Sequence, residues 1–194
     1  MEKPLILAFD TSGPYCAAAL LSGDNVITQT VEEMKKGQAE RLMFLLKELL
    51  QLHGLAYADL DALSVGTGPG NFTGIRIGVS AARGLALGLG IPAYGVNGFE
   101  QRAILDPSAT VHSIAAPRQQ RYVRDASGAA LISGEAFESK GYTILSDPFP
   151  DALAASIALA ARERFPNPTL APAPYYLKVP DAAPSKSAAP TILT

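Results

Sequence analysis

The chain has 194 residues, of which 48% are hydrophobic and 18% are charged. This composition supplies a core and does not fit a disordered chain, and at about 150 residues per domain the length corresponds to one domain or two small lobes. Its 16 Lys and Arg residues against 18 Asp and Glu residues give a net charge of −2, which argues against a protein that binds nucleic acid alone through phosphate contacts.

The rare residue types restrict the chemistry further. A single cysteine, Cys16, excludes an internal disulfide framework and a cysteine-based zinc site. Only two histidines, His53 and His112, argue against a histidine-rich metal centre. No run of about 18–20 apolar residues predicts a membrane span, and the apolar run near the start meets Asp10 at once, unlike a signal peptide. We therefore expect a cytoplasmic protein without membrane attachment.

The first half of the chain predicts a mixed sheet with helices packed on it. The predicted elements are a strand over 5–9, a hairpin of 16–21 and 26–31, a helix over 38–53, a strand over 60–65, a helix over 74–89 and a strand over 91–96. The helix over 38–53 has the clearest pattern, because leucines recur at i, i+3, i+4 and i+7 and Gly54 follows as a C-cap.

The second half repeats this organisation more weakly. It predicts strands over 111–115, 120–124 and 129–136 and an Ala-rich helix over 151–164. We place a boundary near Asp106 and Pro107, which gives a first lobe over 1–106 and a reduced second lobe over 107–166. Six prolines among the last 28 residues predict an extended, partly disordered arm over 167–194.

A glycine-rich loop over 66–74 joins the fourth predicted strand to the next helix. A phosphate-binding P-loop needs a lysine after its glycines, and this loop has none. The spacing of its glycines also differs from a dinucleotide fingerprint. Two interpretations remain: backbone N–H groups at a helix start that suit an anion, or a tight turn without a ligand.

Both predicted helices of the first half have more apolar surface than one sheet covers. On a helical wheel, Ile77, Ala81, Gly84 and Gly88 form a second apolar face on the helix over 74–89, and Phe44 lies outside the core arc of the earlier helix. Glycine in a helix interior costs about 0.5–1 kcal/mol relative to alanine, so this helix must gain by close approach. The second face serves either an internal contact or a subunit interface.

The nucleophile patterns are absent. Cys16 lies in an apolar strand and is interpreted as a core residue, and Ser12 and Thr11 have no partner histidine at a known spacing. Asp10, at the end of the first strand, has two interpretations of equal weight: a carboxylate that holds a nucleotide-linked metal, or an Asx turn that caps its own loop.

Four segments give the chain a recognisable pattern: ILAFDTS at 6–12, QAERL at 38–42, GPGNFTGIRIG at 68–78, and residues 92–97. They resemble the TsaB (YeaZ) family, the non-catalytic partner of TsaD in bacterial tRNA threonylcarbamoyladenosine synthesis. The resemblance covers residues 4–105 and returns at PYYLK, residues 174–178. It implies the α/β fold of the actin, hexokinase and chaperone ATPases (the ASKHA fold), with two βββαβα-type lobes of which the second is shortened.

The resemblance also implies which chemistry is missing. TsaD-like proteins follow Val-Asn with two metal-binding histidines one helical turn apart, whereas this chain has Gly98 and Arg102 at those positions. A glycine has no side chain and a guanidinium stays protonated, so neither binds a divalent metal. We therefore expect no catalytic residue, no bound metal and no intrinsic cofactor, with ATP or ADP bound at most weakly or within a complex.

The partners that the family implies are a TsaD-like transferase and a TsaE-like ATPase, with tRNA reached only through the complex and a homodimer formed in isolation. The residues assigned to the interface are Leu42, Phe44, Leu45, Ile77, Ala81, Gly84 and Gly88. Those assigned to the glycine loop and a nucleotide contact are Asp10, Thr11, Ser12, Gly68, Gly70 and Thr73. The alternative functions are a metal-dependent, glycoprotease-like peptidase and a free-standing nucleotide-binding ATPase.

Overall fold

The computed structural model describes residues 3–142, 148–167 and 170–177. Its strands are β1 (Leu5–Asp10), β2 (Tyr15–Ser22), β3 (Asn25–Glu33), β4 (Ala62–Gly66), β5 (Ala93–Val96), β6 (His112–Ala116), β7 (Gln120–Asp125) and β8 (Gly128–Ser133). Its α-helices are α1 (Gln38–Leu52), α2 (Phe72–Leu89), α3 (Gly98–Leu105), α4 (Gly134–Ser139) and α5 (Pro150–Arg164).

The larger sheet has the strand order β3-β2-β1-β4-β5. The first three strands are antiparallel, and β4 runs parallel to both β1 and β5. Along β1, Leu7 and Phe9 join the core beneath α1 and α2, whereas Ile6 and Ala8 join the core beneath α5. Because both faces of the sheet are covered, β1 and β4 are apolar almost throughout their length.

The smaller sheet consists of β6, β7 and β8 in antiparallel order. Helix α5 follows this sheet in the chain but packs on β1, β2 and β4 of the larger one. There the hydroxyl of Ser64 in β4 donates a hydrogen bond to the carbonyl of Ile157, at 3.0 Å. The sequence predicts that this helix belongs to the second lobe, over 107–166. Its contacts instead place it on the larger sheet.

The predicted strands and helices of the first half are confirmed, with ends that shift by a few residues. One predicted strand needs correction, and one helix has to be added. The strand predicted over 129–136 ends at Ser133, because the Ser133 hydroxyl accepts a hydrogen bond from the Ala136 N–H and starts α4. Helix α3 was not predicted, although Asn97 and Glu100 form a capping box at its start.

The segment over 170–177, which we call the strap, has neither helix nor strand and packs against Thr67, which follows β4, and against Gly95 in β5. The Tyr175 N–H donates a hydrogen bond to the Thr67 carbonyl, at 2.8 Å. Gly95 makes room for it, since a Cβ there would lie 3.3 Å from the Cα of Pro172. The remainder of the predicted arm, 178–194, lies outside the described residues. Within the described part, no helix is both long and apolar enough to span a bilayer.

The start of α2 packs directly on the loop that follows β1. A Cβ on Gly74 would lie 1.9 Å from the Thr11 carbonyl oxygen, and a Cβ on Gly78 would lie 2.8 Å from the Thr11 hydroxyl oxygen. The Thr11 hydroxyl also donates a hydrogen bond to the Gly74 carbonyl, at 2.7 Å. These two glycines are therefore required by contacts within the chain.

We predict that Gly74→Ala lowers the free energy of unfolding by about 2–4 kcal/mol, because the new methyl group overlaps backbone that cannot move easily. Urea denaturation followed by circular dichroism measures it. The control is Thr73→Ala, at the exposed neighbouring position, with a change within about 0.5 kcal/mol. Equal stabilities of the wild type and Gly74→Ala would show that the loop and the helix start are not in close contact.

Candidate functional site: the cleft and the outer helix face

Asp10 lies buried at the end of β1, and its carboxylate is held by its own loop. One carboxylate oxygen accepts the Ser12 N–H at 2.8 Å, and the other accepts the hydroxyls of Ser12 at 3.0 Å and Tyr15 at 3.2 Å. Burial raises the pKa of Asp10, while the hydrogen bonds from Ser12 and Tyr15 and the charge of Arg102 oppose that shift. These contacts are those of the Asx turn, one of the two interpretations of Asp10.

The glycine loop is filled by groups of the chain itself. The Ser12 carbonyl accepts the Asn71 N–H at 2.7 Å, and a Cβ on Gly70 would lie 2.5 Å from that same carbonyl oxygen. Gly68 has a φ of +91°, which favours glycine. The Asn71 side chain accepts the Gly74 N–H, at 2.8 Å, and so caps α2. These contacts support the interpretation of the loop as a tight turn.

A cleft of about 720 Å³ lies between the first-lobe loops, the β6–β7 hairpin and the strap. Of the residues assigned to a nucleotide contact, Ser12 and Gly70 line it, whereas Thr73 is exposed on the first turn of α2. Lys35 and Arg118 bring positive charge to the walls. Aromatic rings from Phe72, Tyr122, Tyr175 and Tyr176 also line the cleft. Binding of ATP or ADP there stays a prediction.

The positions of the two histidines in TsaD-like proteins cannot hold a metal in this chain. A Cβ on Gly98 would lie 2.6 Å from the Ile114 side chain, so the site is filled rather than open. The Arg102 guanidinium donates a hydrogen bond to the Gly98 carbonyl, at 3.0 Å. Across the described residues, no three His, Cys, Asp or Glu side chains cluster as metal ligands would. The residues present therefore do not fit a metal.

The outer surface of α1 differs from the predicted one. Leu42 and Leu45, assigned to the interface, are 1% and 4% exposed and pack in the core against the larger sheet. The prediction is wrong for these two side chains, because their arc of the helix is the one that faces the sheet. Phe44 is 63% exposed and lies on the outer surface. Met43 and Leu52 are exposed there as well and were not predicted.

The outer surface of α2 carries glycines that the chain itself does not require. Gly84 and Gly88 are exposed, and among the described residues no atom lies within 4 Å of a Cβ built on either. Ile77 and Ala81 of the same helix are half-buried, and their side chains pack against the core. Leu87, which is 86% exposed, was not predicted; it lies one helical turn after Arg83, on the side of α2 that also carries the exposed Ser80.

The family model described as "TsaD: tRNA N6-adenosine threonylcarbamoyltransferase" matches residues 25–141. The tRNA threonylcarbamoyladenosine biosynthesis protein TsaB of Escherichia coli K12 is 38% identical over 92 residues, which are 47% of this chain and 39% of that protein. TsaB of Bacillus subtilis is 41% identical over 98 residues, 50% of this chain and 43% of that protein. The matched region thus spans less than half the length of these curated relatives.

A solved structure from Pseudomonas aeruginosa, described as an uncharacterized protein with similarity to peptidase YeaZ, superposes with a TM-score of 0.71. The superposition covers 92% of this chain and all of that one, at 24% sequence identity. It shows the fold: the predicted mixed α/β ASKHA-type architecture, with a larger five-stranded sheet and a smaller second lobe, is confirmed.

We predict that Asp10 makes the fold less stable as the pH rises. Because burial raises the pKa of Asp10 in the folded protein, the folded state binds more protons than the unfolded state between the two pKa values. Stability is therefore lost from the ordinary Asp pKa, near 4, up to the raised folded-state pKa. Urea denaturation of the wild type and Asp10→Asn across this range isolates the effect, since the difference between them should change with pH. A difference that stays constant would contradict it.

Proposed function

This chain belongs to the family that the TsaD model describes, and within it to the TsaB (YeaZ) group, and on that premise we propose that it is a non-catalytic assembly subunit of tRNA threonylcarbamoyladenosine synthesis. Its task is to bind and support a TsaD-like transferase through the outer surfaces of α1 and α2. A TsaE-like ATPase joins the same assembly, and tRNA is reached through the complex. The chain works in the cytoplasm.

The observation that carries this proposal is the pair of glycines at 84 and 88. Each costs about 0.5–1 kcal/mol of helix stability relative to alanine, and no contact within the described part of the chain offsets that cost, in contrast to Gly74 and Gly78 of the same helix. A helix that keeps such positions on an exposed face allows a second backbone to approach closely. Phe44 on α1 and Leu87 on α2 are exposed and add apolar area to the outer surfaces of the two helices.

The geometry of the partner follows from the arrangement of the two helices. α1 and α2 are neighbours on one face of the larger sheet, and in the described part of the chain Phe44, Gly84, Leu87 and Gly88 of their outer surfaces are exposed. A similarly folded subunit with an equivalent pair packs against them as a four-helix contact of approximate two-fold symmetry. A specific contact of this kind buries about 1,200–2,000 Å² in total. In isolation a second copy takes the partner's place, which gives a homodimer.

We base the proposed lack of catalysis on the residues in and around the cleft. Among the described residues no metal-binding cluster is present, and Asp10 is held by Ser12 and Tyr15. Neither observation supports the alternative function, a metal-dependent, glycoprotease-like peptidase. The cleft itself is large enough for a nucleotide, but the glycine loop is closed by its own contacts, so we propose at most weak ATP or ADP binding there.

The most direct prediction is that a TsaD-like protein of the same source forms a 1:1 complex with this chain. Size-exclusion chromatography with light scattering should show a homodimer of the isolated chain that converts to the heterodimer when the partner is added. Calorimetry provides the affinity. Two proteins that elute separately at micromolar concentration, with no heat of mixing, would contradict the proposed function.

A second prediction separates folding from assembly. Gly84→Ala and Gly88→Ala should each raise the free energy of unfolding by about 0.5–1 kcal/mol, because helix propensity improves and none of the residues that the structure describes meets the new methyl group. The same substitutions should weaken partner binding about tenfold or more, since the methyl group enters a close interface.

The matched control is Glu163→Ala, on the exposed surface of α5 across the sheet, which should leave the affinity within about twofold. Denaturation and calorimetry on the same preparations give both quantities. If the two glycine variants gain stability and bind the partner as tightly as wild type, this face is not the interface.

A further inference from the structure

Arg76, on the exposed surface of α2, is held more rigidly than an exposed arginine usually is. The centre of its guanidinium lies 3.8 Å from the centroid of the Phe72 ring. Its Nε–H donates a hydrogen bond to the Tyr176 hydroxyl, at 3.1 Å. The rings of Phe72 and Tyr176 stack in turn, with centroids 4.9 Å apart and planes 30° apart. The strap thus fixes the arginine from one side and α2 fixes it from the other.

This arrangement leaves one part of the guanidinium available. Among the residues that the structure describes, the two terminal nitrogens of Arg76 have no hydrogen-bond partner. They form a planar fork that matches the two oxygens of a carboxylate. Because the ring and the hydroxyl already restrict the side chain, little conformational freedom is lost when such a ligand binds. A preorganised arginine of this kind is typical of an interface residue that dominates affinity.

The charges of α2 indicate what approaches it. The helix contains Arg76 and Arg83, both exposed, and no aspartate or glutamate. Arg76 lies eight residues before Gly84, which is about 80° around the helix, so both belong to one outward arc. A surface that covers this arc is complementary in charge when it is acidic.

Resting on the proposed function, we propose that Arg76 is the specificity-determining contact of the α2 face and pairs with an aspartate or glutamate carboxylate of the partner subunit. Phe72 and Tyr176 line the cleft, whereas Arg76 does not. This favours a carboxylate on a protein partner over a phosphate of a ligand in the cleft. The strap then has a second role, because its Tyr176 positions the arginine that the partner binds.

The test measures affinity for the TsaD-like protein by calorimetry. Arg76→Gln should weaken binding about 10- to 100-fold, as expected for a charge-assisted hydrogen bond that is lost. Arg76→Lys should recover part of this loss, since it keeps the charge without the planar fork. Tyr176→Phe removes the hydroxyl and keeps the ring stack, and should give a smaller loss than Arg76→Gln. The matched control, Lys140→Gln, removes an exposed positive charge from the second lobe, away from α2, and should stay within about threefold.

Two further arms identify the ligand. Arg76→Glu should be rescued by a Glu→Arg or Asp→Arg substitution in the partner, found by scanning its acidic residues. Inorganic phosphate, titrated into the chain alone, should give no heat that depends on Arg76. Wild-type binding that Arg76→Gln leaves unchanged overturns this inference alone, as does phosphate binding that requires Arg76. Failure of the wild type to bind any TsaD-like protein overturns the proposed function and this inference together.

Discussion

The contact between the loop after β1 and the first turns of α2 determines the arrangement of much of the molecule. Thr11 presents its carbonyl and hydroxyl groups to Gly74 and Gly78, at distances that no residue with a side chain could accept without a shift. This contact places the start of α2 directly over the carboxyl end of β1. The same contact closes the glycine loop. In the second half of the helix, Gly84 and Gly88 face solvent.

One helix therefore serves two surfaces. Its first turn contributes Phe72 to the wall of the cleft, and its later turns contribute the outward face. The strap connects the two, since Tyr175 binds the carbonyl of Thr67 in the glycine loop and Tyr176 stacks on Phe72. In this arrangement the loops of the cleft have a structural role, because they hold the start of α2 in place.

The sequence was sufficient to predict most of the strands and helices. It was not sufficient where contacts between distant segments determine which side chains are buried. The leucine pattern predicted α1 correctly, but Leu42 and Leu45, which belong to that pattern, were also assigned to the interface, and the structure places both side chains in the core. Gly74 and Gly84 look alike in the sequence; only the atoms around them distinguish a required glycine from an unexplained one. The capping residues Asn97 and Glu100 did carry a readable pattern for α3. By contrast, nothing local in the sequence of α5 indicates that it returns to the first sheet.

The central claim is that the outer surfaces of α1 and α2 bind a TsaD-like partner while the cleft has no direct part in binding. Amide hydrogen exchange of the chain with and without that partner tests this most directly, because it reports every element at once. We expect slower exchange confined to α1, α2 and the adjoining Tyr176 region of the strap, with α5 and the β6–β8 sheet unchanged. Slower exchange in the β6–β7 hairpin and the loop after β1, with α1 and α2 unchanged, would contradict it.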